Sequence, residues 1–235
     1  MELLIKGSTE LNKMFMALQR TASSLRRDFG EVENLQQSLR GARDFVAKAS
    51  ARIEESILSD LTLVRPAAGL LTPDVSHEGD DRDEFVLALS GASNFVRGNP
   101  HFAISLALRS NDETKIALVY SPIDERLYYA EAGRGAYVFS AYHSARISVS
   151  NIQDMGEATV AYNTSDARAV VGENTLRTGC PALDLAWVAA GKLDAYVSDA
   201  LDFAEIAAGD LLVREAGGKI EMMADLVATN GKIEM

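Results

Sequence analysis

The spacing of apolar positions changes along the chain, and each change marks an element. From Leu11 to Leu25 the apolar residues are Leu11, Met14, Phe15, Leu18, Ala22 and Leu25, the stripe of one helix face. Gly30 is expected to end that helix. A second amphipathic helix is expected within 41–61, carried by Ile53, Ile57, Leu58 and Leu61. The spacing then tightens. Phe85–Leu89 and Phe102–Leu108 are continuous apolar runs bounded by Gly, Asn and Pro, and read as buried strands. The small residues Ser90-Gly91-Ala92-Ser93-Asn94 form the loop between them. Short strands follow at Lys115–Tyr120, Arg126–Glu131 and Gly135–Phe139, with turns at 121–124 and 133–135. Beyond residue 150, strands are expected at 158–163 and 194–197. Helices are expected from Pro181 to Gly191 and from Asp202 to Ala216, stopped by Gly217-Gly218.

Composition narrows the function classes. At 235 residues and 47% hydrophobic, the chain can bury a sizeable core, as one large domain or two tightly packed halves. A net charge of −11 opposes non-specific binding to nucleic acid. The one basic cluster, Arg20, Arg26, Arg27, Arg40 and Arg43, is interleaved with acids and reads as a solvated helix face. The acidic run Glu78, Asp80, Asp81, Asp83 and Glu84 reads as a solvated loop. No apolar run approaches a membrane span, and the first residues do not form a signal peptide. A single cysteine, Cys180, excludes an intrachain disulfide, reads as a buried inert thiol, and fits a reducing, cytoplasmic setting. One cysteine and three scattered histidines argue against zinc.

Gly91, Ser93-Asn94-Phe95, Gly98 and Pro100, followed by the strand from Phe102, resemble the tail of the inositol monophosphatase family signature. So does Ala207-Ala208-Gly209, followed by Leu211-Leu212-Val213 and Glu215-Ala216-Gly217-Gly218. Ala182–Ala190 is similar to the family's Ala-Leu-Asp-Leu-Ala helix, and Asp44, Val46, Lys48 and Ala49 keep the frame of its Asp-x-Val-Thr-x-Ala-Asp block. Residues 145–150 match the strand that closes the first half of the family fold. The resemblance covers 8–235 and implies an α/β (α+β) layered fold, an alternating αβαβα sandwich. It also implies one compact unit of an N-terminal half, 1–150, and a shortened C-terminal half, 151–235. The family's helical insert between residue 163 and Leu176 is short here, which implies a reduced wall for the substrate cleft.

The family hydrolyses phosphate monoesters with Mg²⁺ ions held by carboxylates. Carried across position by position, those ligands are largely replaced. The loop aspartates fall on Leu87 and Ser90, and the water-orienting threonine on Ala92. The helix-entry aspartate falls on Ser50, which would suit a helix cap. The strand-end glutamate falls on Pro73, leaving Asp74 as the neighbouring acid. The last aspartate becomes Glu205, which is either a metal ligand or, with Asp202, half of a capping box. A glutamate that holds an inositol hydroxyl falls on Ser198, and Cys180-Pro181 replaces a Ser-Ala step facing the sugar.

The remnant catalytic positions are therefore Ser90, Gly91 and Ala92. The substrate-side candidates are Gly91, Ser93, Asn94 and Ser198, and the metal candidates are Glu205 and Asp74. The expected function is that of a catalytically impaired family member with a binding or regulatory role. It is expected to be a homodimer, with a protein partner or a small phosphorylated ligand, and to contact neither membrane nor nucleic acid directly. One branch of the family regulates ribosomal RNA transcription. The alternatives are an active Mg²⁺-dependent phosphatase with a rearranged site built on Asp74, Glu205 and Asp202, and a small-anion module on Gly91 and the Asn94 loop.

Overall fold

The computed structural model describes residues 5–34, 39–74, 76–77, 79, 82–140, 143–164, 174–199, 202–222 and 225–233. Two long helices open the chain, α1 (Thr9–Asn34) and α2 (Leu39–Leu61). The stripe read from Leu11 to Leu25 is buried along its whole length. Gly30 does not end α1, which runs one turn further and buries Val32. That extra apolar contact outweighs the ~1 kcal/mol a helical glycine costs relative to alanine. The second helix is also longer than expected. Its alanine-rich start is helical, so Ser50 lies in the helix interior and not at a cap.

An eight-stranded sheet follows: β1 (Gly69–Leu71), β2 (Ser76–His77), β3 (Asp83–Ser90), β4 (Ala103–Ser110), β5 (Glu113–Ser121), β6 (Arg126–Glu131), β7 (Ala136–Ser140) and β8 (His143–Arg146). The helix α3 (Ala92–Val96) sits between β3 and β4, where the sequence suggested a plain loop. The strand expected over 145–150 is displaced, since β8 ends at Arg146. The sheet order is β2-β1-β3-β4-β5-β6-β7-β8, with β1 and β3 parallel and every other pair antiparallel. The two faces differ in side-chain size. Leu87, Leu106, Leu118 and Leu127 pack under α1 and α2. Val86, Ala88, Ala107 and Ala117 face the other way. Small residues there let a second helix pair approach closely.

That pair is α4 (Pro181–Ala189) and α5 (Phe203–Glu215). Its far side meets a five-stranded sheet of β9 (Thr159–Asn163), β10 (Asn174–Leu176), β11 (Ala195–Ser198), β12 (Lys219–Met222) and β13 (Leu226–Thr229), in the order β10-β9-β11-β13-β12. The result is a layered α/β fold: helices, sheet, helices, sheet. The outer face of the second sheet carries Val160 and Val197 with Ile233, and among the described residues no helix covers it. The shortened insert, 165–173, and the acidic residues Glu78, Asp80 and Asp81 lie outside the described residues. Glu215 ties α5 to the β6–β7 turn, where its two carboxylate oxygens accept the Gly133 and Gly135 N–H groups at 2.7 Å each. Among the described residues no helix is long and apolar enough to cross a membrane.

Two glycines make opposite predictions for thermal denaturation. A Cβ on Gly30 would meet nothing within 4 Å, so Gly30→Ala should raise Tm by about 1–4 °C. A Cβ on Gly209 would lie 2.6 Å from the Leu185 Cβ, which no rotamer change can move away. Gly209→Ala should lower Tm by about 2–10 °C, because the overpacking exceeds the helix-propensity gain.

Candidate functional site

The remnant loop begins where β3 ends. Gly91 has φ +81°, and a Cβ there would lie 2.9 Å from the His101 carbonyl oxygen and 3.1 Å from both the Phe102 Cα and the Cys180 Cβ. Only glycine allows this left-handed turn in such a crowded corner. The Gly91 carbonyl accepts the N–H groups of Asn94 and Phe95, which closes α3. Asn94 was expected beside a substrate. Its side-chain amide instead donates to the His101 carbonyl at 2.8 Å and to the Thr178 carbonyl at 2.7 Å. Both amide hydrogens hold the loop to its neighbours and are not presented to a ligand.

Ser90 is fully buried, and its hydroxyl accepts the Ala182 N–H at 3.2 Å. Cys180 precedes α4 and makes no side-chain cap, so Ser90 satisfies one of the helix's orphan N–H groups from across the fold. Cys180 is buried as expected, and desolvation pushes its thiol up to about 12, which leaves it inert. Ser198, expected on the substrate side, is also fully buried, and its hydroxyl donates to the Asn163 carbonyl across β11 and β9. It is a sheet residue and presents nothing to a ligand. Leu87 is 1% exposed and lies under α1 and α2 with Phe85, Phe95 and Phe102. Ala92, Ser93 and Ser50 share one surface cavity, shaped between α2 and α3.

The two metal candidates do not share a partner. Asp202 caps α5 by accepting the Ala204 N–H at 3.0 Å. Glu205, one turn in, reaches back to the remnant loop. Burial raises its pKa first and the Asp202 charge adds to that, while the Ser90 hydroxyl and the Gly91 N–H oppose the rise. Asp74 is exposed, its N–H faces the Thr72 hydroxyl, and its charge acts on Glu54 of α2. Burial, then that charge, raise the Glu54 pKa.

Mg²⁺ needs convergent, charged oxygen ligands beside its waters. Among the described residues no three His, Cys, Asp or Glu side chains converge on a common point. One reluctantly ionised Glu205 and a hydrocarbon at Leu87 do not fit a magnesium centre. Ser50, Ser90 and Ala92 add hydroxyls or nothing where charge is required.

One polar group of the site has no counterpart in the sequence reading. Asp184 on α4 is buried and accepts the Thr178 hydroxyl at 2.5 Å. Its other oxygen lies 3.6 Å from the His101 Nε2, and the His101 ring meets Trp187 edge-on at 4.8 Å. Burial raises the Asp184 pKa, while the His101 and Thr178 contacts oppose the rise. Pro100-His101 and Leu183-Asp184 both lie inside the family-like blocks, but the 83 positions that separate them hid the pairing. The basic residues read as a solvated face also divide. Arg20 pairs with Asp60 and Arg26 with Glu125, whereas Arg43 lines the α2–α3 cavity together with Arg97.

The family model described as the inositol monophosphatase family matches residues 8–229. An inositol-1-monophosphatase of Rhizobium meliloti is 38% identical over 228 residues, covering 90% of this chain and 84% of its own. A protein named Nus factor SuhB, from Pasteurella multocida, is 32% identical over 227 residues, covering 89% of this chain and 84% of its own. The crystal structure of the extragenic suppressor protein suhB from Bartonella henselae matches with a TM-score of 0.84 at 31% identity, over 96% of this chain and 95% of that one. By motif, layer order and these likenesses, the chain belongs to the inositol monophosphatase family.

Proposed function

We propose that this chain keeps the family fold but not its hydrolytic chemistry, and that it acts by binding, as a homodimer with a regulatory partner. The observation that carries this reading is Leu87. A buried leucine among Phe85, Phe95 and Phe102 stands where the family places a metal-binding aspartate. Restoring an unpaired carboxylate in that setting would cost several kcal/mol of desolvation, whereas the leucine contributes about 2 kcal/mol by burial. The substitution favours the fold at the expense of the centre. The metals supply both the nucleophile and the charge stabilisation in this chemistry, so losing their ligands removes catalysis and does not merely retune it. Relatives named Nus factor SuhB support a role exerted through a partner.

A second reading, a Mg²⁺-dependent phosphatase with a rearranged site, rests on the direction of Glu205, which faces Ser90 and Gly91, and on relatives named inositol-1-monophosphatase. Phosphate release from inositol 1-phosphate with Mg²⁺ or Mn²⁺ separates the two. Turnover on the order of 10³-fold or more below an active family member assayed alongside, and unchanged by Glu205→Ala, is the expected result. Metal-dependent turnover that both Glu205→Ala and Asp74→Ala abolish would establish the second reading instead.

The raised pKa of Glu205 makes a further prediction. Between the ordinary carboxyl range and the raised value, the folded chain holds a proton that the unfolded chain has released. Stability from this group is therefore fully present at low pH and falls as pH rises through that window. Glu205→Gln keeps an acceptor for Ser90 and Gly91 without the charge. It should raise Tm by about 2–4 °C at neutral pH and leave it unchanged near pH ~4, as read by thermal melts across that range.

A further inference from the structure

Four residues close a ring where α3 meets the start of α4. The Asn94 amide donates to the His101 carbonyl at 2.8 Å and to the Thr178 carbonyl at 2.7 Å. The Thr178 hydroxyl donates to Asp184 on α4 at 2.5 Å. The last side of the ring is the 3.6 Å gap between the Asp184 Oδ1 and the His101 Nε2. The other sides are made hydrogen bonds. This one is longer than the ~2.8 Å of a charge-assisted bond. Among the described residues, both of its atoms are buried and neither has a hydrogen-bond partner.

The open side is the one that titrates. The Asp184 side chain is 1% exposed, so its carboxylate needs a compensation that water does not supply. The charge acting on it is that of His101, whose ring is 18% exposed and open to exchange of a proton with solvent. Histidine is the side chain whose charge ordinarily changes between about pH 5 and 8. The neighbours bring no second counter-charge. Burial first, and then the Asp184 and Glu205 charges, hold the Cys180 thiol ahead of α4 and the Tyr196 hydroxyl on β11 in their neutral forms. Glu205 on α5 is itself an acid. Lys192, beyond α4, donates to the Tyr128 hydroxyl at 3.1 Å and lies 5.3 Å from the Trp187 ring centre.

We infer that His101 and Asp184 form a proton-operated clamp between the α3 corner and the start of α4. With the imidazole protonated, its Nε2–H donates to the Asp184 Oδ1 and the ring is closed. With that proton gone, the buried carboxylate has no counter-charge, and residues 94–101 separate more readily from 178–184. The clamp ties the hold on the remnant loop to proton concentration, whether or not the corner holds a metal ion.

The two groups share one titration. Burial raises the Asp184 pKa, and the His101 and Thr178 contacts only oppose that rise. The folded pair therefore keeps a proton that the unfolded chain has released. Stability from the clamp is full at low pH and falls as pH rises.

Trp187 is the one tryptophan of the chain, and the His101 ring meets it edge-on at 4.8 Å. An imidazolium quenches indole emission more than a neutral imidazole does. Fluorescence of the full chain from pH ~5 to ~9 therefore reads the proton on His101. Emission should rise with pH in one step, and His101→Gln should remove the step. Asp184→Asn keeps an acceptor for Thr178 without the charge, and should move the step down by about 1 pH unit or more. Amide hydrogen exchange, corrected for its intrinsic pH dependence, should quicken across 94–102 and 178–184 over the same step. The gain should be about 10-fold for each pH unit of coupling, and absent from His101→Gln. A fluorescence step with no change in exchange would overturn the inference. So would a step that survives His101→Gln, or one whose midpoint Asp184→Asn leaves in place. Should one variant fail to fold, the other variant and the parental exchange profile still decide.

Discussion

At the corner between β3 and α3 the backbone is too crowded for any side chain at position 91. The His101 carbonyl, the Phe102 backbone and Cys180 all press on that one residue. This close approach fixes three things at once. It turns the chain from the central sheet into α3, it brings the start of α4 against the end of β3, and it lets the Ser90 hydroxyl cap α4 at Ala182. Glu205 at the start of α5 reaches the same corner. The two halves of the layered fold therefore meet where the family performs its chemistry, and the corner has a structural duty independent of catalysis.

On the function proposed above, that duty lets the scaffold stand without a metal centre. A serine at position 90 caps a helix, and a leucine at position 87 joins the apolar layer under α1 and α2. Each substitution exchanges a charge that needs a cation for a group that the fold satisfies by itself. Ser50, inside α2, and Ala92, at the start of α3, likewise strain nothing in their helices. What remains on the surface is a cavity whose described polar lining is Arg43, Ser50, Ser93 and Arg97.

Much of this was legible in the sequence, and the exceptions have physical causes. The buried strands and the α5 helix announced themselves through long apolar runs and family-like blocks, because both depend on local spacing. Gly30 misled because a local helix-stopping preference of about 1 kcal/mol yields to the burial of Val32 one turn later. Ser50 misled because the alanine-rich run before it is itself helical, which moves the serine from a cap to the interior. At the site, the departure of Leu87 and Ser90 from the family signature is read from position alone. The roles of Ser90, Asn94 and Ser198 were not, because their partners at Ala182, Thr178 and Asn163 are brought together only by the fold. The same holds for His101 with Asp184 and for Arg43 with Arg97, pairs that share no local pattern.

The central claim is that this corner no longer holds a magnesium centre. A calorimetric titration of the full chain with Mg²⁺, and then with Mn²⁺, tests it without reference to any substrate. The account predicts no saturable heat with either ion from folded protein. Saturable binding in the micromolar to millimolar range that disappears in Glu205→Ala would contradict it, and would return this chain to the hydrolases of its family.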